Sequence, residues 1–170
     1  MNKIYDSLHD VWPGCEAWLK SCNVKKEDYH GGSFEGNESR KLLKNVQKLR
    51  EIIPTEYEEF ANTFEVFNRV VTACYGTNLA SDYKEHIADF RNSYLKLKIS
   101  VTPKVHAVFW HIIDFCEVFG MGLGPWSEQC SESIHHDFKA TKDRFKDEDH
   151  QDYGKHLYEA VCMYNGKHAN

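Results

Sequence analysis

Several things are missing from this chain, and each absence removes a class of function. Basic residues are not in excess: 21 Lys and Arg stand against 26 Asp and Glu, a net charge of -5. A free-standing nucleic-acid binder is usually basic overall, so any such role here must rest on a local patch. No run of 18 apolar residues occurs, which excludes an expected membrane span. The opening stretch "MNKIYDSLHDVW" has no apolar h-region, so no secretory signal is expected. None of the six cysteines (Cys15, Cys22, Cys74, Cys116, Cys130, Cys162) forms a C-x-x-C pair, so a closed zinc site cannot be assembled from these pieces. Most sit in apolar stretches such as "VVTACYG" and "IIDFCEVF", which implies reduced, mostly buried thiols in an intracellular protein. Repeats, low-complexity tracts and linkers are absent, and β-branched alternation is scarce.

What remains is helical periodicity. With 41% hydrophobic, 14% aromatic and 28% charged residues in 170, the composition fits one soluble globular domain with a core of useful size. Residues 3–22 read as two short helices interrupted by Pro13-Gly14. A strong helix is expected over residues 38–53, with Asn37 as N-cap and one apolar stripe of Leu42, Val46, Leu49 and Ile53. Pro54 restarts the chain, and Thr55 with Glu58 fits a capping box. The next helix carries Phe60, Phe64, Phe67, Val70 and Val71 and stops near Gly76. Another starts near Ser81 or Asp82 and carries Tyr83, Ile87, Phe90, Tyr94 and Leu97. Thr102-Pro103 opens "KVHAVFWHIIDFCEVFG", apolar on nearly every face and therefore expected to be central. After "GMGLGPW", helices are expected over about 127–145 and 151–164. The fold class is all-α, an irregular bundle of six to eight helices in a single domain over 1–170. Within it, 1–35 holds short helices and a Gly-rich turn, 36–120 the main helical region and 121–170 the terminal helices.

Three groups of residues carry candidate chemistry. Asn37, Arg40, Lys41, Lys44 and Lys48 share one helix face behind a glycine-rich approach, an arrangement that suits a phosphate backbone and would equally serve as a solvated charged face. His106 and His111 are imidazoles of the kind that ligate zinc. Five positions on an α-helix turn through about 140°, however, which favours two separate histidines in or beside the core. In "GLGPWSEQCSESIHHDF", Glu128, Glu132 and His135 or His136 fall on one helical face, a donor set for Mg²⁺ or Mn²⁺ or an acidic solvated face. Glu132-x-x-His135 is similar to the E-x-x-H of di-iron bundles, which needs a matching pair on another helix. Glu27-Asp28-Tyr29-His30 has the letters but runs into Gly31-Gly32.

Three of these segments, in order, resemble the C-terminal part of RAG-type recombinases and the related Transib-type cut-and-paste transposases. "FEGNESRKLL" resembles that family's Gly-Asn-x-x-Arg-Lys-Leu helix start. "VHAVFWHIIDFCEVFG" resembles its His-x4-His pair followed by an amphipathic stretch and glycine. "GLGPWSEQCSESIHHDF" resembles its Ser-Glu-x-x-x-Glu-x-x-Asn-Lys-x-Phe segment. The likeness spans roughly residues 25–165. It implies an RNase H-like parent enzyme, nuclear, with two aspartates and one glutamate around Mg²⁺ or Mn²⁺, and a helical zinc region inserted before the glutamate. Glu132 would be the catalytic glutamate and metal ligand, with Glu128 as the alternative. His106 and His111 would be half of a zinc site completed by two upstream cysteines, with His106 at the helix start, where the first turn can deviate. Asn37, Arg40, Lys41 and Lys44 would face DNA.

The chain departs from that pattern in known places. Both aspartate regions, the strand pattern of the sheet and the upstream C-x-x-C are missing, and His135-His136 stand where the family has Asn-Lys. A single carboxylate cannot build a two-metal site. The expectation is a catalytically incomplete, transposon-derived chain that needs an upstream catalytic region or a homodimer partner. Packing lost with the sheet would leave an apolar surface bare. Two alternatives stay open: a stand-alone helical DNA-binding or protein-interaction module, and a small helical metal protein using Glu132 and His135.

Overall fold

The computed structural model describes residues 1–27, 32–126, 139, 159 and 161–163. The chain divides into two compact units, Met1–Gly124 and Pro125–Asn170. In the second unit Lys139, Glu159 and residues 161–163 are helical. The first unit is all-α, with eight α-helices among the described residues and no strand, only an isolated bridge between Glu27 and Ser33.

Helix α1 (Asn2–Val11) and helix α2 (Glu16–Ser21) are separated by a 3-10 turn over Pro13–Cys15, as the proline-glycine step requires. The expected helix over 38–53 is two helices, α3 (Gly36–Lys44) and α4 (Val46–Arg50). The break falls at Asn45. Its amide nitrogen Nδ2 donates back to the Lys41 carbonyl at 2.8 Å, and its own carbonyl accepts from the Trp18 indole at 2.9 Å. A side chain that bonds its own backbone competes with helix continuation, and the buried indole needs the freed carbonyl. Glu35, in extended conformation, holds the N-cap position, so Asn37 lies inside the first turn instead of capping it.

Thr55 does not cap either. Thr55–Tyr57 form a 3-10 turn leading into α5 (Glu58–Cys74), which has no side-chain cap. Helix α5 is the hub of the unit, in contact with α1, α3, α4 and α6 (Tyr83–Lys96). It buries Phe60, Phe64 and Val70, and Phe64 lies 5.1 Å from the Trp18 ring. Against α6 the contact is partly polar: Thr63 and Ser93 hydroxyls pair at 2.8 Å, and Ser93 also donates to Glu59 at 3.1 Å. Both hydroxyls are buried, and this pairing satisfies them.

Thr102 caps the last long helical segment of this unit, its hydroxyl accepting from the Val105 amide at 3.3 Å. That segment is α7 (Pro103–His106), a π-helical turn (Ala107–His111) and α8 (Ile112–Phe119). It ends at Gly120, whose φ of +64° is the left-handed cap that glycine adopts without strain. Central it is not. Val105, Val108, Phe109, Ile112 and Cys116 are buried, but Trp110 is 49%, Val118 77% and Phe119 46% exposed. All-round apolarity here marks a helix with one face on the core and another uncovered.

Candidate functional site

The π-turn decides the geometry of the histidines. A π-helix bonds residue i to i+5, so positions five apart stack on one face instead of turning through 140°. Phe109 fixes this turn from the inside, its ring 5.6 Å from both Phe90 and Tyr94 of α6. On the outside, the His106 and His111 rings come to 5.2 Å between centroids, inclined at 66°. Both residues are exposed, and Asp114 sits 3.9 Å from His111 Nδ1, one turn further along.

The two rings meet edge to face, a separation ordinary for aromatic pairs and also compatible with two nitrogens around one tetrahedral ion. The Asp114 carboxylate stands too far from Nδ1 for a hydrogen bond, so it does not fix the orientation of the ring. Two ligands are all this face offers: among the described residues no group of three or more His, Cys, Asp or Glu could hold an ion. The buried cysteines do not add to it. Cys74 and Cys116 are buried inside the unit, and burial holds both thiols above their usual range, Cys74 at about 12. Cys15 and Cys22 are likewise buried and free.

Beside His111 lies an apolar hollow of about 410 Å³, walled by Val108, Ile112, Phe115 and Leu123, with Lys104 at its edge. Phe115 stacks on Phe119 at 4.5 Å. The imidazole pair is therefore set into the uncovered apolar side of the unit.

The basic stripe forms a second face. Asn37, Arg40, Lys41, Lys44 and Lys48 are all exposed on α3 and α4. Lys41 and Lys48 brace the preceding segment as well. Lys41 Nζ donates to the Asn23 carbonyl at 2.9 Å and Lys48 Nζ to the Ser21 carbonyl at 3.1 Å. Carbonyls at the end of α2 lack intrahelical partners, and cations there are favourable. This bracing joins the stripe to the turn around Asn23, which carries exposed Lys20 and Lys25. Neither was legible as part of the stripe, because only the fold of α2 against α4 places them beside it.

Glu128, Glu132, His135 and His136, as well as the Asp28-Tyr29-His30 run, lie outside the described residues. No protein-family model, curated protein or solved structure matches the chain. Among the described residues no helix is long and apolar enough to cross a membrane.

Proposed function

We propose that this chain is a helical, catalytically incomplete part of a RAG/Transib-like transposase, contributing a basic face for DNA, one half of a zinc site and the last catalytic glutamate, Glu132, to a nuclear, Mg²⁺- or Mn²⁺-dependent parent. The observation that carries it is the pairing of His106 with His111. Spacing alone argues against two ligands five residues apart, whereas the resemblance implies them together, and the π-turn sets the two rings side by side. The uncovered apolar side of α8 supports the same reading, since a helical piece lacking its sheet leaves such a surface bare.

DNA contact is tested by the salt dependence of binding to a labelled duplex. Each phosphate neutralised contributes about −0.9 to the slope of log K against log salt. Arg40→Ala with Lys44→Ala is expected to flatten that slope by about 2. Lys41 and Lys48 are left in place because they brace the end of α2. An unchanged slope moves the basic face from DNA to a protein partner, the second reading.

The chain alone is expected to show no cleavage of DNA with Mg²⁺ or Mn²⁺, because the two aspartate regions that the resemblance implies beside Glu132 are missing from this sequence. Glu132-dependent cleavage by the purified chain would end this reading.

A further inference from the structure

We infer that the trough between α1, α2 and the segment after α2 is a binding site for a small amphipathic anion, an apolar body carrying one carboxylate. It uses other residues than the histidine pair and does not depend on the DNA reading.

The cavity measures about 720 Å³, a size that holds a small organic molecule, and lies within the Met1–Gly124 unit. Its apolar part is built by the way α2 ends. The Val24 amide donates to the Leu19 carbonyl at 3.0 Å and the Asn23 amide to the Lys20 carbonyl at 3.0 Å, with Asn23 at a φ of +50°. These are the two nested bonds of a Schellman cap, with asparagine in the left-handed position that glycine usually takes. Such a cap folds the residue after the turn back onto the last turn of the helix, so Leu19 and Val24 line the cavity together. Tyr5 of α1 backs them, its ring stacked on His9 at 6.1 Å and 5.2 Å from the Lys26 ammonium.

Charge selects the ligand. Each of the two apolar residues is followed by a lysine: Leu19 by Lys20, Val24 by Lys25. Both lysines line the cavity and are exposed, and neither has an ion-pair partner among the described residues. The carboxylates opposite are mostly occupied. Asp6 holds Lys26, and Glu16 pairs with His9 Nε2 at 3.1 Å. Asp10 alone is left, so Lys20 and Lys25 outweigh it in the lining. A carboxylate placed between Lys20 and Lys25, with its body on Leu19, Val24 and Tyr5, pairs both cations and covers apolar surface in one step. An apolar cation meets the same lysines with the wrong sign. The walls are set beforehand, because Lys41 and Lys48 brace the carbonyls of Asn23 and Ser21 while Lys26 ties the segment after α2 to α1.

Octanoate is the probe, titrated calorimetrically into the full chain below its micelle concentration, with octylammonium as the probe of opposite charge. The expected result is one octanoate per chain, with octylammonium at least tenfold weaker. Lys20→Gln with Lys25→Gln is expected to weaken octanoate at least tenfold, with helical circular dichroism unchanged because both side chains are exposed. Asp10→Asn is expected to tighten binding, since it removes the one uncompensated negative charge of the lining. Lys104→Gln, at the edge of the apolar hollow beside His111, is expected to change nothing. Absence of saturable octanoate binding, equal binding of both probes, or wild-type affinity in the Lys20→Gln, Lys25→Gln chain overturns the inference. Weaker binding in Asp10→Asn overturns it by showing that the lining recognises a cation. Loss of binding in Lys104→Gln overturns it by placing the anion in the other hollow.

Discussion

Gly122→Ala is expected to destabilise the Met1–Gly124 unit by roughly 2–4 kcal/mol. The reason lies at the end of α5. The last carbonyls of a helix have no partner within it and need one outside. Here the segment after α8 supplies it: Leu123 N–H donates to the Cys74 carbonyl at 2.7 Å and Gly124 N–H to the Gly76 carbonyl at 3.0 Å, while Gly122 N–H reaches Thr77 at 3.0 Å. Backbones this close leave no space for a side chain. A Cβ on Gly122 would stand 2.2 Å from the Gly76 carbonyl oxygen and 2.8 Å from that of Cys74. Both are backbone atoms and cannot swing away, so the alanine must push the two segments apart and lengthen all three hydrogen bonds. Gly36→Ala is the control. It stands at the first position of α3 with nothing within 4 Å of the added carbon, so it is expected to be neutral or to stabilise by about 0.5–1 kcal/mol. Urea unfolding of the two variants separates close approach from a general glycine effect. Equal midpoints would mean that the segment after α8 does not dock on α5.

This docking explains part of what the sequence could show. The run "GMGLGPW" reads as a helix breaker, and it is one; that two of its glycines are needed for contact with residues 74–77, some fifty positions earlier, is a long-range fact with no local signature. Elements whose stability is local were legible. Tyr83, Ile87, Phe90 and Tyr94 recur at 3.6-residue spacing and are buried on α6, and Thr102 caps where a threonine before proline should. The errors share one cause. Asn37 and Thr55 have the right chemistry for caps, but the helices start elsewhere because packing sets their ends. Asn45 splits the expected helix because a buried indole, 27 residues earlier, takes its carbonyl. The segment over 103–119 was expected at the centre on its apolarity, whereas α5 is central and this segment covers one side. For the candidate site, the identity of both histidines was visible, and the resemblance placed them together. Spacing pointed the other way because it assumes 3.6 residues per turn, and a π-turn leaves no mark in hydrophobic periodicity over so short a stretch.

Phe109→Ala is expected to cost roughly 3–5 kcal/mol and, unlike other core truncations, to weaken the histidine pair as well. Phe109 is the inward side of the π-turn, buried against Phe90 and Tyr94, and Phe90 in turn packs on Phe67 of α5 at 4.8 Å. Phe109 thus ties the turn to α6 and, through Phe90, to α5. A π-turn has poorer hydrogen-bond geometry than an α-turn and persists where packing holds it. Removing the ring leaves a cavity and removes that hold, so the turn is free to relax toward α-helical winding, in which positions 106 and 111 separate by about 140° around the axis. The neighbouring residue gives the contrast. Trp110 is larger but half exposed, and its one described ring contact is the Arg91 guanidinium 4.7 Å away, so Trp110→Ala is expected to cost no more than about 1 kcal/mol and to leave zinc uptake intact. Urea unfolding measures the first difference. Zinc titration of folded Phe109→Ala, in urea-free buffer, measures the second. A variant that loses the stability but keeps wild-type zinc affinity would show that His106 and His111 are held together by the helix itself and not by what lies beneath it.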